Sequence, residues 1–134
     1  MECIFCKVVK NTIPRHLVYE DEYTLAFLDI APVRPGHTIV IPKKHVEYMG
    51  DVDDVVLCHT IETVKKIGEA MKQALGAKGY NLMVNNGSEA GQLINHFHFH
   101  IIPRKNKEEL EQWAHGKYEN GEAEKISKQL KAGL

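Results

Sequence analysis

Cysteine is scarce. Only Cys3, Cys6 and Cys58 occur in 134 residues, and no second Cys-x-x-Cys pair follows Cys3-Ile4-Phe5-Cys6. A zinc site made of cysteine alone is excluded, so a metal held by the first pair needs two ligands from elsewhere. Long apolar runs are also missing, and no stretch reaches membrane-spanning length. The first residues carry cysteines among charges rather than the apolar centre of a signal peptide, so a cytoplasmic location is the expectation. Neither sign of charge prevails: 17 Lys and Arg face 18 Asp and Glu, a net charge of -1. That balance argues against broad nonspecific nucleic-acid binding, though not against a local basic patch. No Walker lysine loop, kinase signature or glycosidase-type carboxylate pair occurs. There is no repeat and no low-complexity tract.

Histidine, in contrast, is plentiful. The chain has eight, and its hydrophobic fraction of 43% suffices for the core of one domain. Three histidines recur at every second position in Asn95-His96-Phe97-His98-Phe99-His100. Residues two apart share one side of a strand, so one face is imidazole and the other aromatic. A helix would scatter the three rings around its axis. Imidazole serves as base, acid, nucleophile or metal ligand near neutral pH. The alternation therefore predicts a site on a strand.

The remaining elements are read in order. Val18–Glu20 and Thr24–Leu28 are expected strands with Asp21-Glu22 turning between them. Asp29 follows, and its carboxylate suits either a turn or two hydroxyl groups of a sugar. His37–Pro42 is an apolar strand after the Arg34-Pro35-Gly36 turn, with Lys43-Lys44-His45 at its exit. Residues 51–75 form the longest helical pattern, with Leu57, Ile61, Val64, Gly68, Met71 and Leu75 along one stripe. Asp51, Asp53 and Asp54 compete as its cap, and Gly76 or Gly79 stops it. Cys58 within it reads as a small buried hydrophobe, and His59 as peripheral. Tyr80–Val84 is a further strand. The stretch from Asn85 to Gln92 is short, polar and glycine-rich. It is either a plain hairpin connection or a cradle in which backbone N–H groups, Asn85, Ser88 and Gln92 surround a phosphate. Beyond residue 105 the chain is polar and interrupted by Gly116 and Gly121. A helical turn over 108–113 and a terminal helix over 122–130 presenting Ile126 and Leu130 are expected.

The chemistry follows from these groups. Cys3 and Cys6 with His45 and one strand histidine suit tetrahedral zinc, or the cysteines remain a reduced thiol pair. Two histidines are then left on the same face. A neutral imidazole attacks phosphorus and forms a covalent intermediate, while imidazolium, Gln92 and backbone donors offset the developing charge.

The sequence resembles the histidine triad superfamily of nucleotide hydrolases and transferases. The match rests on His96-Phe97-His98-Phe99-His100-Ile101-Ile102 after Gly91-Gln92, on Phe27 to Pro32, on Gly36 to His45, and on Val84-Asn85-Asn86-Gly87. Together these span residues 3 to 105. The resemblance implies an α+β domain with a five-stranded antiparallel sheet and a long covering helix, in a symmetric homodimer. It implies a core domain over 1–105 and a C-terminal extension over 106–134 that packs on the domain or on its dimer partner. His98 corresponds to the nucleophile, His100 to a phosphate-contacting and proton-handling residue, and His37 to their support. Asp29 matches the ribose-binding carboxylate. Ile4, Phe5, Val8, Val18 and Ile30 match the base pocket, and Asn85 and Gln92 match groups beside the phosphate. The Cys-x-x-Cys branch carries structural zinc on positions matching Cys3, Cys6, His45 and His96. Leu93 departs from the serine or threonine that often follows the glutamine, which removes a side-chain donor near the leaving group. The implied activity is hydrolysis at the α-phosphate of a purine nucleoside phosphoramidate, dinucleoside polyphosphate or related conjugate. The alternatives are nucleotidyl transfer to a phosphate acceptor and a noncatalytic nucleotide-binding scaffold. Neither a membrane nor a nucleic acid is an expected partner.

Overall fold

The computed structural model describes residues 2–107, 110, 111 and 113–134. A short helix α1 (Ile4–Val9) opens the chain, followed by strands β1 (Leu17–Glu20), β2 (Thr24–Leu28) and β3 (Thr38–Pro42). A long helix α2 (Asp54–Ala74) leads to β4 (Gly79–Val84) and β5 (Phe99–Arg104), and α3 (Glu122–Gly133) ends the chain. The five strands form one antiparallel sheet in the order β1-β2-β3-β5-β4. The expected α+β sheet with a covering helix is therefore present. No helix among the described residues is long and apolar enough to cross a membrane.

Alternation along the strands splits the core into two layers. Ala26, Val40, Phe97, Phe99 and Ile101 face α2, joined by its Val64, Ile67 and Met71. Leu25, Phe27, Ile39 and Ile41 point the other way and meet Phe5 and Val8 of α1. β3 is buried along its whole length because both layers cover it. Inside the α2 layer the hydroxyls of Thr24 and Thr63 lie 2.7 Å apart and satisfy each other.

α2 starts where Asp53 Oδ1 accepts a hydrogen bond from Val55 N at 3.0 Å, so Asp53 is the cap among the three aspartates. It stops at Gly76, whose φ of +68° suits glycine. Its buried stripe runs through Thr60, Thr63, Val64, Ile67, Gly68 and Met71, so Val64, Gly68 and Met71 of the expected stripe are buried while Thr60, Thr63 and Ile67 join them. Ile61 and Leu75 are exposed, and so is Cys58, contrary to its reading as a buried hydrophobe. Small and β-branched side chains, Gly68 and Thr60 among them, face the sheet because the helix lies close to it. A Cβ on Gly68 would overlap the Tyr80 ring. The turn expected over 108–113 lies partly outside the described residues.

α1 is an element that periodicity missed, because six residues are too few to display a repeat. Cys3 sits at its N-cap, and Asn11, at a left-handed φ of 57°, follows its end. β5 also begins later than the histidine pattern suggests. Only His100 lies in the ladder; His96 and His98 precede it. The alternation nevertheless holds, since Phe97 and Phe99 face α2 while Phe5 of α1 touches both His96 and His98 edge-on.

Candidate functional site

A cleft of about 450 Å³ opens on the α1 side of the sheet. α1 forms one wall, β2 and β3 the floor, and the loop between β4 and β5 the opposite rim. Among the expected binding residues, Ile4, Phe5, Val8, Asp29, Ile30, Asn85, His98 and His100 line it. Val18 does not; it is exposed on the edge strand β1. Gln92 does not line it either. Its Oε1 accepts from Gly87 N at 2.8 Å, and its Nε2 donates to Glu47 O at 2.9 Å and Ile94 O at 3.2 Å. The buried amide thus holds the loop rather than facing the cleft. Ser88 is likewise turned away, with its hydroxyl on Glu89. Asn85 bonds back to Gly91 O at 3.3 Å.

Backbone contacts decide which nitrogen of each ring carries the proton. His98 Nδ1 lies 2.7 Å from the carbonyl of His96 and must donate to it. Its Nε2 then keeps a free lone pair. Val33 N–H donates to His37 Nδ1 at 3.1 Å, so the proton of His37 is on Nε2. That nitrogen donates to His100 Nδ1 at 2.8 Å, which leaves an N–H on His100 Nε2. One ring therefore offers a lone pair and its neighbour a proton, with centroids 4.9 Å apart. Burial drives the pKa of His98 and His37 below the ordinary imidazole value and that of His100 to about 4, against the pull of Asp29. Neutral rings at physiological pH follow, as this tautomer chain requires.

Of the two readings of Asp29, the turn is the one its hydrogen bond shows. Oδ1 accepts from Ala31 N at 2.8 Å and fixes the turn, while Oδ2 stands 3.6 Å from His37 Nε2 at the edge of the cleft.

A second cluster sits behind the cleft. One donor atom each from Cys3, Cys6, His45 and His96 lie within 4.8 Å of one another. Cys3 Sγ is 3.6 Å and Cys6 Sγ 3.7 Å from His96 Nδ1, and Cys6 Sγ is 3.4 Å from His45 Nδ1. Zinc–sulfur and zinc–nitrogen bonds of ordinary length give tetrahedral edges of about 3.3–3.8 Å, so the donor set fits the ion. His96 Nε2 donates to Pro42 O at 2.8 Å, which leaves Nδ1 unprotonated towards the cluster. Burial lowers the pKa of His96 to about 4, which keeps the ring neutral.

The reading from sequence missed several lining residues: Ile13, Pro14, Arg15, Phe27, Ile39 and Ile94. The core-facing alternation of β2 and β3 contained the signal for Phe27 and Ile39. Nothing in the local pattern marked Arg15.

Comparison with known proteins agrees with this geometry. The HIT domain matches residues 10–107. An uncharacterized HIT-like protein of Methanocaldococcus jannaschii is 56% identical over 102 residues, 76% of this chain and 78% of that one. An adenosine 5′-monophosphoramidase of Schizosaccharomyces pombe is 45% identical over 108 residues, 81% of this chain and 78% of that one. The crystal structure of a HIT family member from Bacillus subtilis superposes with a TM-score of 0.91 at 38% identity, covering 100% of this chain and 98% of that one. A zinc-bound histidine triad protein of Mycobacterium smegmatis superposes with a TM-score of 0.79 at 32% identity, covering 100% and 99%. The chain belongs to the HIT family, and it is an enzyme of that family's nucleotide-hydrolase class.

Proposed function

We propose that this enzyme hydrolyses purine nucleotide conjugates at the α-phosphate, with a phosphoramidate or dinucleoside polyphosphate as substrate and a nucleoside monophosphate as product. The observation that carries this reading is the 2.7 Å bond from His98 Nδ1 to His96 O, which directs a free Nε2 lone pair into a cleft lined by Asp29 and His100. His98 Nε2 attacks the α-phosphorus, and the bond to the leaving nitrogen or oxygen breaks. The leaving atom takes the proton of His100 Nε2. Water then attacks the nucleotidyl-His98 and returns a proton to His100, and His98 Nε2 is freed. His37 acts through His100 by holding its tautomer. Asp29 binds the ribose hydroxyls, and Ile4, Phe5, Val8 and Ile30 enclose the base. Asn85 stands beside the phosphate, and Gln92 acts by holding the loop. The name of the fission-yeast relative supports the phosphoramidate branch. Leu93, 90% exposed at the cleft, offers no hydroxyl there and gives the leaving-group side an apolar rim.

Cys3, Cys6, His45 and His96 hold a zinc ion in this reading. The ion supplies a structural clamp and no chemical step. The zinc-bound mycobacterial relative supports it.

The extension over 106–134 is assigned to contact with a second copy in a symmetric homodimer, beside a core of 1–105. Support comes from α3, which buries no residue in its own chain although Ile126 and Leu130 share a face. Twelve residues are too few for a stable lone helix. Ile126→Lys with Leu130→Lys should shift the sedimentation coefficient towards the monomer; an unchanged value would remove this role for α3.

The test of the activity is product analysis with adenosine and guanosine phosphoramidates, nucleotide sugars and dinucleoside polyphosphates, with and without inorganic phosphate as acceptor. Nucleoside monophosphate release in water supports hydrolysis. Product carrying an added phosphate identifies nucleotidyl transfer instead. No product from any of them leaves a binding scaffold.

A further inference from the structure

Two charged side chains of opposite sign line the cleft, and hydrolysis accounts for only one of them. Asp29 stands beside His37 and the catalytic rings. Arg15 is the sole cation among the described lining residues. It precedes β1 by two residues. Leu17 pairs with Phe27, so Arg15 and Asp29 flank the same end of the β1–β2 ladder. Asp29 nevertheless turns to Ala31 N and His37. Arg15 turns to α1, where Nη1 donates to the carbonyl of Val8 at 2.8 Å. That carbonyl belongs to the last turn of α1, where a cation is also favoured by the helix dipole. The bond ties the guanidinium to the helix whose Ile4, Phe5 and Val8 line the cleft.

A guanidinium has five N–H donors in a rigid plane and no acceptor. One is used by Val8, which leaves four for a ligand in the cleft that Arg15 lines. The purines differ in what they offer such a group. Guanine and hypoxanthine present two adjacent acceptors, O6 and N7. Adenine presents N7 beside an N6 amino group that is itself a donor. Apolar walls distinguish these bases poorly, because the two rings are nearly the same shape.

We propose that Arg15 reads the base and selects 6-oxopurine nucleotides over adenine nucleotides. This rests on the nucleotide-cleft reading above and departs from the adenosine substrate named for the fission-yeast relative. Arg15 is a specificity residue; it takes no part in bond breaking.

The test is calorimetric titration of GMP, IMP and AMP into the wild type, Arg15→Met and Arg15→Lys. Met keeps the apolar stem, and Lys keeps the charge without the fork. The wild type should bind GMP and IMP at least about tenfold tighter than AMP, the usual scale of a bidentate arginine–guanine contact. Both variants should lose most of that ratio through weaker GMP and IMP binding. An equal loss for all three nucleotides would overturn the proposal by assigning Arg15 to the phosphate or sugar. Tight GMP with weak IMP would overturn it too, because the 2-amino group would then be what is read. A wild-type ratio near one would do the same. Phosphoramidate turnover is scored separately: absent turnover with an intact base ratio rejects the hydrolase reading alone, and absent binding of all three nucleotides rejects both.

Discussion

His37 Nε2 and His100 Nδ1 lie 2.8 Å apart, and the backbone N–H of Val33 occupies the other nitrogen of His37. A loop amide thereby sets the proton on His100 two rings away. The same device recurs where His96 O accepts from His98 and Pro42 O accepts from His96. Backbone contacts thus sort the four imidazoles into two tautomers, with the proton on Nδ1 in His98 and on Nε2 in His37, His96 and His100.

The first consequence concerns His98. A His98→Ala protein should fold and bind nucleotide, yet lose at least about a thousandfold in kcat. Rapid quenching with a labelled substrate should trap nucleotidyl-protein in the wild type and none in the variant. Near-normal turnover by the folded variant would reject His98 as nucleophile.

The second concerns acid. Burial depresses His100 from 6.5 to about 4 and lowers His37 as well. A depressed folded-state pKa means the unfolded chain binds more protons between these values, so stability is full above about pH 6.5 and declines towards pH 4. Urea midpoints measured across that window should fall with pH. His100→Gln should fall less steeply, and identical slopes for the two proteins would show that His100 is not the group responsible.

Sugar recognition can be tested at Asp29. Asp29→Ala should weaken ribonucleotide binding more than 2′,3′-dideoxynucleotide binding, since only the former offers hydroxyls to the carboxylate. Equal losses would remove the sugar contact and leave Asp29 its bond to Ala31 N.

Zinc is expected to act on stability. Its ligands come from α1, the exit of β3 and the segment before β5, so binding energy becomes folding energy. Protein purified without an affinity tag should contain zinc, and chelation should lower the melting temperature. Cys6→Ser should reproduce the loss. Less than about one-tenth of an ion per chain, with no stabilisation on reconstitution, would count against the site under the same linkage.

Close packing makes Gly68 sensitive. A methyl group there would overlap the Tyr80 ring, so Gly68→Ala should cost about 1–3 kcal/mol despite the better helix propensity of alanine. A chemical-denaturation midpoint equal to that of the wild type would mean that Tyr80 moves aside freely.

Much of this protein was legible in its residue order. Period-two alternation sorted His96, His98 and His100 from Phe97 and Phe99 even though the ladder itself begins only at Phe99. Apolar runs and turn residues located all five strands, and a 3.6-residue period located α2. What the order could not contain was which groups the folded backbone brings into contact. The stripe on α2 kept Val64, Gly68 and Met71 but took in Thr60 and Ile67 in place of Ile61 and Leu75, because closeness to the sheet selects small or well-fitting side chains over the largest ones. Gln92 left the cleft because Gly87, Glu47 and Ile94 claim its amide. Arg15 entered it because a helix too short to show periodicity brings Val8 O within reach. Local sequence determined which chemistry the chain carries, through side-chain type and spacing. Only the tertiary structure decided which nitrogen holds each proton and which groups face the ligand, because folding aims the carbonyls of His96 and Pro42 and the amide of Val33 at particular ring nitrogens and brings His37 onto His100.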